Sequence, residues 1–415
     1  MIDIKLLREN PEYYKKATTD KGYSSKVVNA VLILDKKFRE LTKEEDDLRS
    51  QKKKFGSSEE DRKKSKKIKQ KIKEISEKKV VIEKELKDKL SSIPNPAFVN
   101  VPIGNKEEDN VVLREWGVKR NFNFNPKNHL ELGEYLKIIN FTDGSKVAGA
   151  QSYYLDNEGA LLELALIQFA LQILSKKGFT PTITPDLSRS KFYLGTGYMP
   201  KGDEAQIYTL ENEDLGLIAT SEVTLAGRHS EEIIDEKDLP IKYAGVSHCF
   251  RKEAGAYGKY SKGLYRVHQF TKIEMFVYSN PEDSKKIHEE LLKIEEEIWQ
   301  KLDIPYRVLE ICTGDLGAIA ARKFDLEAWM PGREDYGEIT SASNCTDYQS
   351  RNLNIRIKSK NKGICYAHLL NGTAIAISRA LIAILENYQN EDGTVNIPEV
   401  LVPIMGGIKI INKKN

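Results

Sequence analysis

Cysteine is scarce: four residues, Cys249, Cys312, Cys345 and Cys365, are scattered through 415 positions with no CxxC spacing. That excludes a disulfide framework, and with six histidines in no HExxH or comparable pattern no structural zinc is expected. Long apolar runs are missing as well. The N-terminus, MIDIKLLREN, lacks the apolar region of a signal segment, and the greasiest stretch, Ala160 to Leu174, is interrupted by Glu163 and too short to span a bilayer. The expectation is a soluble, cytoplasmic protein with no membrane partner. Nor does charge of one sign dominate, since 65 basic and 62 acidic residues leave a net charge of +3. Any attraction for a polyanion must arise from local clustering rather than from the field of the whole molecule.

What is present divides in two. The length suits two domains rather than one core, and 40% apolar with 31% charged residues describes a globular protein with an unusually solvated portion. In the first hundred residues the apolar positions are few but ordered: Val31, Leu34, Phe38, Leu41, Leu48 and Phe55 follow a 3-4 spacing, with Glu45 and Lys52 falling on the same seam. After Gly56-Ser57-Ser58 the pattern resumes with Ile68, Ile72, Ile75, Lys79, Ile82 and Leu86. Two helices joined by a short polar turn fold back most simply as an antiparallel pair. The hairpin is expected over about 27–90, with its tip near 56–58 and limbs of roughly 28 residues, about 40 Å at about 1.5 Å per residue. Ser91-Ser92-Ile93-Pro94-Asn95-Pro96 cannot continue a helix, so the N-terminal domain is placed at 1–96 and a second domain at 97–415.

Residues 51–70, about the tip, hold nine Lys or Arg against three Asp or Glu. Such a cluster is either the solvated face of a coiled coil or a surface for a phosphate backbone, and composition alone leaves both open.

Beyond Ala97 the character becomes mixed α/β, with no internal repeat. Ala160 to Lys176 and Pro281 to Leu302 read as helices, the second with Ile287, Leu291, Ile294 and Ile298 on one face. In CFRKEAGAYGKYSKGLYRVHQFTKIEMF two strand-like runs flank a loop rich in Gly, Lys and Tyr, the layout of a long antiparallel hairpin. Strand alternation puts Arg251 and Glu253 on one face of the first run, and Arg266, His268 and Phe270, with Glu274 further along, on the same face of the second. Guanidinium groups, a carboxylate and an aromatic ring on one surface suit a nucleotide: Arg matches phosphate oxygens, a ring stacks on a base, and a carboxylate accepts from an exocyclic amine. Taken alone, the same residues also describe an exposed strand pair with cross-strand ion pairs.

The pattern Phe-Arg-x-Glu, a loop, then Arg-x-x-x-Phe resembles motif 2 of the class II aminoacyl-tRNA synthetases, and FRKEAG...GLYRVHQF...E is similar to its seryl-tRNA synthetase form, here over about 248–276. Gly178-Phe179-Thr180 through Pro185, in 175–190, resembles motif 1. Leu370-Asn371-Gly372-Thr373 through Arg379, continuing to Leu401, resembles motif 3 over 370–402. Three ordered blocks, with family-like segments between them and the helical hairpin before them, extend the resemblance over essentially the whole chain.

The resemblance implies an α+β architecture: an antiparallel two-helix coiled-coil arm, then a class II synthetase domain on a mixed, mainly antiparallel β-sheet flanked by helices. It implies a serine–tRNA ligase that converts L-serine and ATP to seryl-adenylate and then charges tRNA(Ser), acting as a homodimer through motif 1. Arg251 is implied to hold the α-phosphate and the serine carboxylate, Glu253 the adenine amine, and Arg266 the terminal phosphates. Phe270 would stack on adenine against Arg379, and Glu338-Ile339-Thr340-Ser341 would also line the ATP site. Glu338 and Ser341 resemble the pair that holds a catalytic Mg²⁺, oxygen donors suited to a hard ion. Serine selection would rest on Thr220, Ser221, Glu222, Arg251, Glu274, Asn371 and Thr373. In the arm, Lys52, Lys53, Lys54, Arg62, Lys63 and Lys66 would face the tRNA, which the family grips by its long variable arm. The carboxylate of serine is already ionised at neutral pH, so alignment and charge stabilisation are needed rather than a general base. His268 and Cys345 then carry no required role. A coiled-coil nucleic-acid-binding paralogue would let these motifs decay, and an amino-acid:carrier-protein ligase of the same fold would lack the arm.

Overall fold

The computed structural model describes residues 1–414 apart from Ser57, 199–206, 254–262 and 361–362. The turn expected at Gly56-Ser57-Ser58 and the hairpin loop 254–262 therefore fall wholly or partly outside the described residues. The chain forms two compact units, Met1–Pro96 and Ala97–Asn415.

The first unit opens with short helices α1 (Ile4–Glu9) and α2 (Pro11–Asp20), followed by α3 (Lys26–Lys52) and α4 (Glu59–Ser91), which pack on each other as a hairpin. The limbs are unequal, 27 and 33 residues, because the second runs on to Ser91. Ser58 caps α4 by accepting from Asp61 N at 3.1 Å, and Glu59, Glu60 and Asp61 in the first turn complement the helix dipole. Val31, Leu34 and Ile75 are buried along the seam, while Phe38, Leu41, Ile72 and Ile82 are half-buried, as two helices alone can bury only part of each side chain.

Two of the three charged seam positions, Glu45 and Lys79, meet, while Lys52 is exposed. Lys79 Nζ lies 2.8 Å from Glu45 Oε2, and Arg49 Nε donates to Glu45 Oε1 at 3.0 Å. Hydrogen bonds from Lys79 and Arg49 hold the Glu45 carboxyl below its ordinary range, against the opposing effect of burial. Lys79 also lies 5.4 Å above the Phe38 ring.

The second unit is built on an eight-stranded sheet. In chain order its strands are β1 (Val111–Trp116), β2 (Thr180–Ile183), β3 (Ile241–Phe250), β4 (Gln269–Ser279), β5 (Tyr306–Glu310), β6 (Arg322–Met330), β7 (Asp335–Asn344) and β8 (His368–Ala376), and across the sheet they run β1-β5-β6-β7-β8-β4-β3-β2. Every neighbouring pair is antiparallel except β2 with β3. Six further helices matter for the site: α5 (His129–Tyr135), α6 (Asn157–Lys176), α7 (Glu222–Gly227), α8 (Ser284–Lys301), α9 (Tyr348–Leu353) and α10 (Ile377–Asn387).

Alternation along β4 divides the interior. Ile273, Met275 and Val277 enter a large core shared with apolar residues of α6, α8 and α10; Phe276 and Tyr278, on the other face, enter a smaller one with Leu225, Tyr243 and Leu369. Ile287, Leu291, Ile294 and Ile298 of α8 are all buried in the large core. Helix α6 is longer than its apolar run suggests: 20 residues, long and apolar enough by length and composition to cross a membrane. Leu162, Leu166, Phe169 and Leu174 are nevertheless buried in the large core.

Two register shifts set the geometry of the site. Between β6 and β7, Leu326 opposes Thr340 but Glu327 opposes Glu338, leaving Ile339 as the extra residue. Between β4 and β8, Ile273 opposes Ile375 but Glu274 opposes Thr373, leaving Ala374 over.

Glu45→Leu alone, which leaves the partly buried Lys79 ammonium without its carboxylate partner, is expected to destabilise the arm by about 1–3 kcal/mol, and Glu45→Leu/Lys79→Leu to recover most of the loss. Urea unfolding followed by circular dichroism reads the helices of both units, while fluorescence from Trp116, Trp299 and Trp329 reads the second unit alone, so the difference between the two transitions reports the arm. A double variant no more stable than the single one would reject the pairing as the cause.

Candidate active site

Strand β3 ends at Phe250 and β4 begins at Gln269, so Arg251, Glu253, Arg266 and His268 lie beyond the strand pair, and the expectation that strand alternation groups them is corrected. They are brought together by other bonds. Arg251 N donates to His268 O, and His268 Nδ1 pairs with Arg251 O, each at 3.0 Å, extending the crosslink past the strand ends. Glu253 has a positive φ of 48° and its carboxylate meets Arg266 Nη1 at 3.0 Å. The Arg251 guanidinium stands 5.2 Å from the Phe270 ring.

The chain re-joins the hairpin after the loop through a 3-10 turn, Gly263–Tyr265. Gly263 has φ +72°, and a Cβ there would meet His129 Nε2 at 2.2 Å, so only glycine fits. His129 Nε2 accepts from Leu264 N at 3.2 Å, which leaves Nδ1 to donate to Glu386 Oε1 at 2.9 Å. Glu386 Oε2 accepts from Gly332 N at 2.9 Å. One buried His–Glu pair thus ties α5, α10 and the end of the motif 2 loop together. Tyr265, positioned by that turn, carries the Arg379 guanidinium 4.8 Å above its ring.

Arg251, Glu253, Phe270, Glu338, Ile339, Thr340, Thr373 and Arg379 line one cavity, together with Tyr265 and Lys272. Residues three apart on a regular strand point to opposite faces, but the extra Ile339 turns Glu338 and Ser341 to the same one, opposite Glu327 and Asp325. Ile339 itself is buried in the core, and Thr340 donates backwards to Glu295 of α8 at 3.1 Å. Glu338 Oε1 pairs with Arg379 Nη1 at 3.0 Å, and Arg379 Nη1 also reaches Glu338 O at 2.9 Å. Burial alone would raise the Glu338 pKa; the charges of Arg379, Lys323 and Arg251 outweigh it and hold the carboxyl below its ordinary range. Asp325 goes the other way: burial raises it, Lys323 opposes this, and Glu338 adds to the rise. Its Oδ1 is buried without a hydrogen-bond partner. Among the described residues no group of three or more His, Cys, Asp or Glu is assembled as a metal site. Glu338 and Ser341 instead offer a small all-oxygen set beside an unpartnered carboxyl oxygen, which fits a hard cation whose remaining ligands are phosphates and water.

The residues expected to select serine form a second cluster continuous with the first. Glu274, fully buried, has Thr373 and Gly245 opposite it on the flanking strands. Asn371 Nδ2 donates to Glu274 Oε1 at 3.1 Å and to Glu222 Oε2 at 3.3 Å, and Thr373 Oγ1 donates to Glu274 Oε2 at 3.3 Å. Glu222 Oε1 accepts from Gln349 Nε2 of α9 at 2.6 Å, and Oε2 from Tyr198 at 3.3 Å. Thr220 accepts from Glu222 N at 3.2 Å, and so helps fix the start of α7. Ser221 is not drawn into this network: its Oγ has no hydrogen-bond partner and lies against Gly245, in space a side chain there would fill. Burial, then the neighbouring Glu274 charge, pushes the Glu222 carboxyl up to about 7.

Sequence reasoning missed Lys272, Tyr265, His129, Asp325, Tyr198 and Gln349. Lys272 was within reach, because it alternates with Phe270 and Glu274 along β4. Tyr198 and Gln349 carry no periodic signal; only the fold brings them to Glu222.

In the first unit, Lys52, Lys53, Lys54, Arg62, Lys63 and Lys66 are all exposed, and Lys52, Arg62 and Lys66 line one shallow surface at the tip. Lys63 is paired with Glu59 at 3.2 Å.

Comparison with known proteins matches residues 1–97 to the seryl-tRNA synthetase N-terminal domain and residues 208–388 to the class II tRNA synthetase core domain (G, H, P, S and T). The serine–tRNA ligase of Dictyoglomus turgidum is 52% identical over 425 residues, covering 100% of both chains. The structure of Pyrococcus horikoshii seryl-tRNA synthetase complexed with ATP superposes with TM-score 0.94 at 44% identity, over 100% of both chains. The cytoplasmic serine–tRNA ligase of Naegleria fowleri in complex with AMP gives TM-score 0.90 at 38% identity, over 100% of this chain and 99% of that one.

The raised pKa of Glu222 has a signed consequence for stability. Unfolded, the group titrates near 4.5; folded, near 7. The folded state binds the proton more tightly, so this contribution is complete below the unfolded value and is lost as pH rises through about 7. Glu222→Gln removes it, and the Tm of the variant relative to the parent is expected to climb between pH 5 and pH 8. Parallel melting curves across about that range would contradict the assignment.

Proposed function

The chain belongs to the seryl-tRNA synthetase family, and we propose from that premise how its own residues carry out serine–tRNA ligation. The reaction joins a serine carboxylate oxygen to the α-phosphorus of ATP with release of pyrophosphate, then passes the acyl group to the 3′-terminal adenosine of tRNA(Ser) with release of AMP. The observation that carries the residue-level reading is the continuity of the two clusters: Thr373 lines the nucleotide-type cavity and bonds Glu274 of the amino-acid-type pocket.

Arg251, which lines the nucleotide-type cavity, binds the α-phosphate and the serine carboxylate. Phe270 and Arg379 hold the adenine between them, which requires Arg251 and Tyr265 to release the contacts they make with those two groups in the free protein. Glu253 accepts from the adenine amine, and Arg266 holds the terminal phosphates. Glu338 and Ser341 would hold Mg²⁺, which, when bound, neutralises charge on the phosphate oxygens. No side chain is asked to remove a proton in the first step, because the nucleophile is a carboxylate; the residues align it and stabilise the charge that develops on phosphorus.

Glu222 and Glu274 receive the serine ammonium, while Thr373 and Asn371 read the hydroxyl. Alanine and glycine would leave these groups unpaired, and threonine must be excluded by lack of room for its methyl, for which the close packing of Ser221 against Gly245 is the supporting feature. The exposed Ile183 at the β2 edge of the sheet, with Leu161 and Leu164 exposed on α6, supports motif 1 as the homodimer surface. The basic tip of the hairpin is assigned to the sugar–phosphate backbone of tRNA, whose A-form helix offers phosphates and 2′-hydroxyls rather than readable major-groove edges. A cytoplasmic location accords with these substrates.

Pyrophosphate exchange into ATP is expected with serine and to fall by about 10⁴ with alanine; equal exchange with alanine or threonine would reject the specificity. Removal of about residues 31–87 with a short bridge is expected to spare that exchange and abolish aminoacylation of tRNA(Ser). Unchanged charging by the shortened protein would refute the role of the arm.

A further inference from the structure

Lys272 is 6% exposed on β4, between Phe270 and Glu274 on the same strand face, and lines the cavity beside Arg251 and Thr373. Its ammonium is ion-paired to Glu274 Oε2 and donates to Thr373 Oγ1 at 3.4 Å, while Thr373 donates to the same Glu274 oxygen at 3.3 Å. The ring is closed, and its two longer contacts are of the kind that tighten when a ligand arrives.

Donor and acceptor counting gives the ring a consequence. A threonine hydroxyl has one proton and two lone pairs; here the proton goes to Glu274 and one lone pair to Lys272, so what remains is an acceptor. Glu274 accepts from Asn371 on Oε1 and from Thr373 and Lys272 on Oε2, and its remaining capacity is also acceptor only. A ligand entering this corner meets groups that want protons, as an ammonium and a hydroxyl supply, and nothing that satisfies a methyl. The positive charge also offsets that of Glu274, one of the two buried carboxylates that the ligand's ammonium meets.

Resting on the serine-ligase reading above, we propose that Lys272 is a positioning residue that determines specificity: it locks the Thr373 hydroxyl and the Glu274 carboxylate into an acceptor-only arrangement that selects the serine hydroxyl. It acts through those two side chains rather than on the reacting atoms. Without it the Glu274 carboxylate loses its counter-charge and a Thr373 lone pair loses its donor, so the two side chains are no longer held in one orientation, and preference for serine over alanine falls.

The test is pyrophosphate exchange with Lys272→Met, which keeps the length of the side chain, and with Lys272→Gln, which keeps an N–H donor without the charge. The Met variant is expected to raise KM for serine by about tenfold to a hundredfold, to leave KM for ATP within about twofold, and to lower the serine-to-alanine preference by a similar factor. The Gln variant should retain more of the preference than Met, since it can still donate to Thr373, and it stands as the test on its own if Lys272→Met does not fold. An unchanged serine KM, or equal losses for serine and ATP, in whichever variant folds would overturn the proposal. Absence of serine-dependent exchange in the parent protein would instead defeat the underlying functional reading, so the two failures are told apart.

Discussion

Glu274 and Glu222 stand almost wholly out of water in one pocket, bonded to the same asparagine side chain. Two carboxylates so placed are unfavourable unless their charge is compensated or one keeps a proton. Both remedies are present: Lys272 pairs with Glu274, and Glu222 holds its proton up to about pH 7. The nucleotide side obeys the same constraint, with Glu338 against Arg379, Glu253 against Arg266, and Asp325 against Lys323. These ion-paired side chains are therefore oriented by their partners, whereas Arg251 rests against the Phe270 ring. Pre-set orientation of this kind is what a reaction without a general base depends on, since its barrier is lowered by alignment and by charges already in place.

Such pairing requires the right side chains on the right face, and regular strands do not provide it. In an unbroken β7, Glu338 and Ser341 would point apart. The single extra residue Ile339 brings them together, and because that residue is apolar and buried in the core, the irregularity is anchored from below. Ala374 does the same for β8, so that Thr373 faces Glu274 while Ile375 remains in the core. Gly245, opposite Glu274, completes the floor, since any side chain there would collide with Ser221 and Leu225. The site is thus made by two inserted residues and one missing side chain.

Much of the architecture was legible because it rests on periodicity. The 3-4 spacing of Val31 to Leu86 gave the helical pair and even the two charged residues that meet in its seam, and the mixed, mainly antiparallel sheet follows the family resemblance. Alternation extends the hairpin strands too far, through Arg251, Glu253, Arg266 and His268, whereas pairing stops at Phe250 and Gln269 and a positive φ at Glu253 takes over. Alternation alone would have separated Glu338 from Ser341, because a bulge leaves no mark in composition. Long-range partners were invisible for a related reason. His129 meets Glu386 across 257 positions, Gln349 meets Glu222 across 127, and no local pattern encodes either contact.

The helical hairpin carries charges in two physical settings, and the difference bears on what each can do. Glu45 is buried between Lys79 and Arg49 and its carboxylate is engaged by both, so this cluster helps to fix how the helices pack. At the tip, Lys63 and Lys64 are held by Glu59 and Glu60 one turn away, in exposed pairs of a kind worth about 0.3–0.5 kcal/mol. Those glutamates orient the lysines and favour the start of α4 without binding them firmly. A polyanion, gaining affinity from several such contacts at once through counterion release, outcompetes them easily. In the seam the carboxylate is buried between its partners; at the tip both members of each pair stay in water, and the charges remain exchangeable.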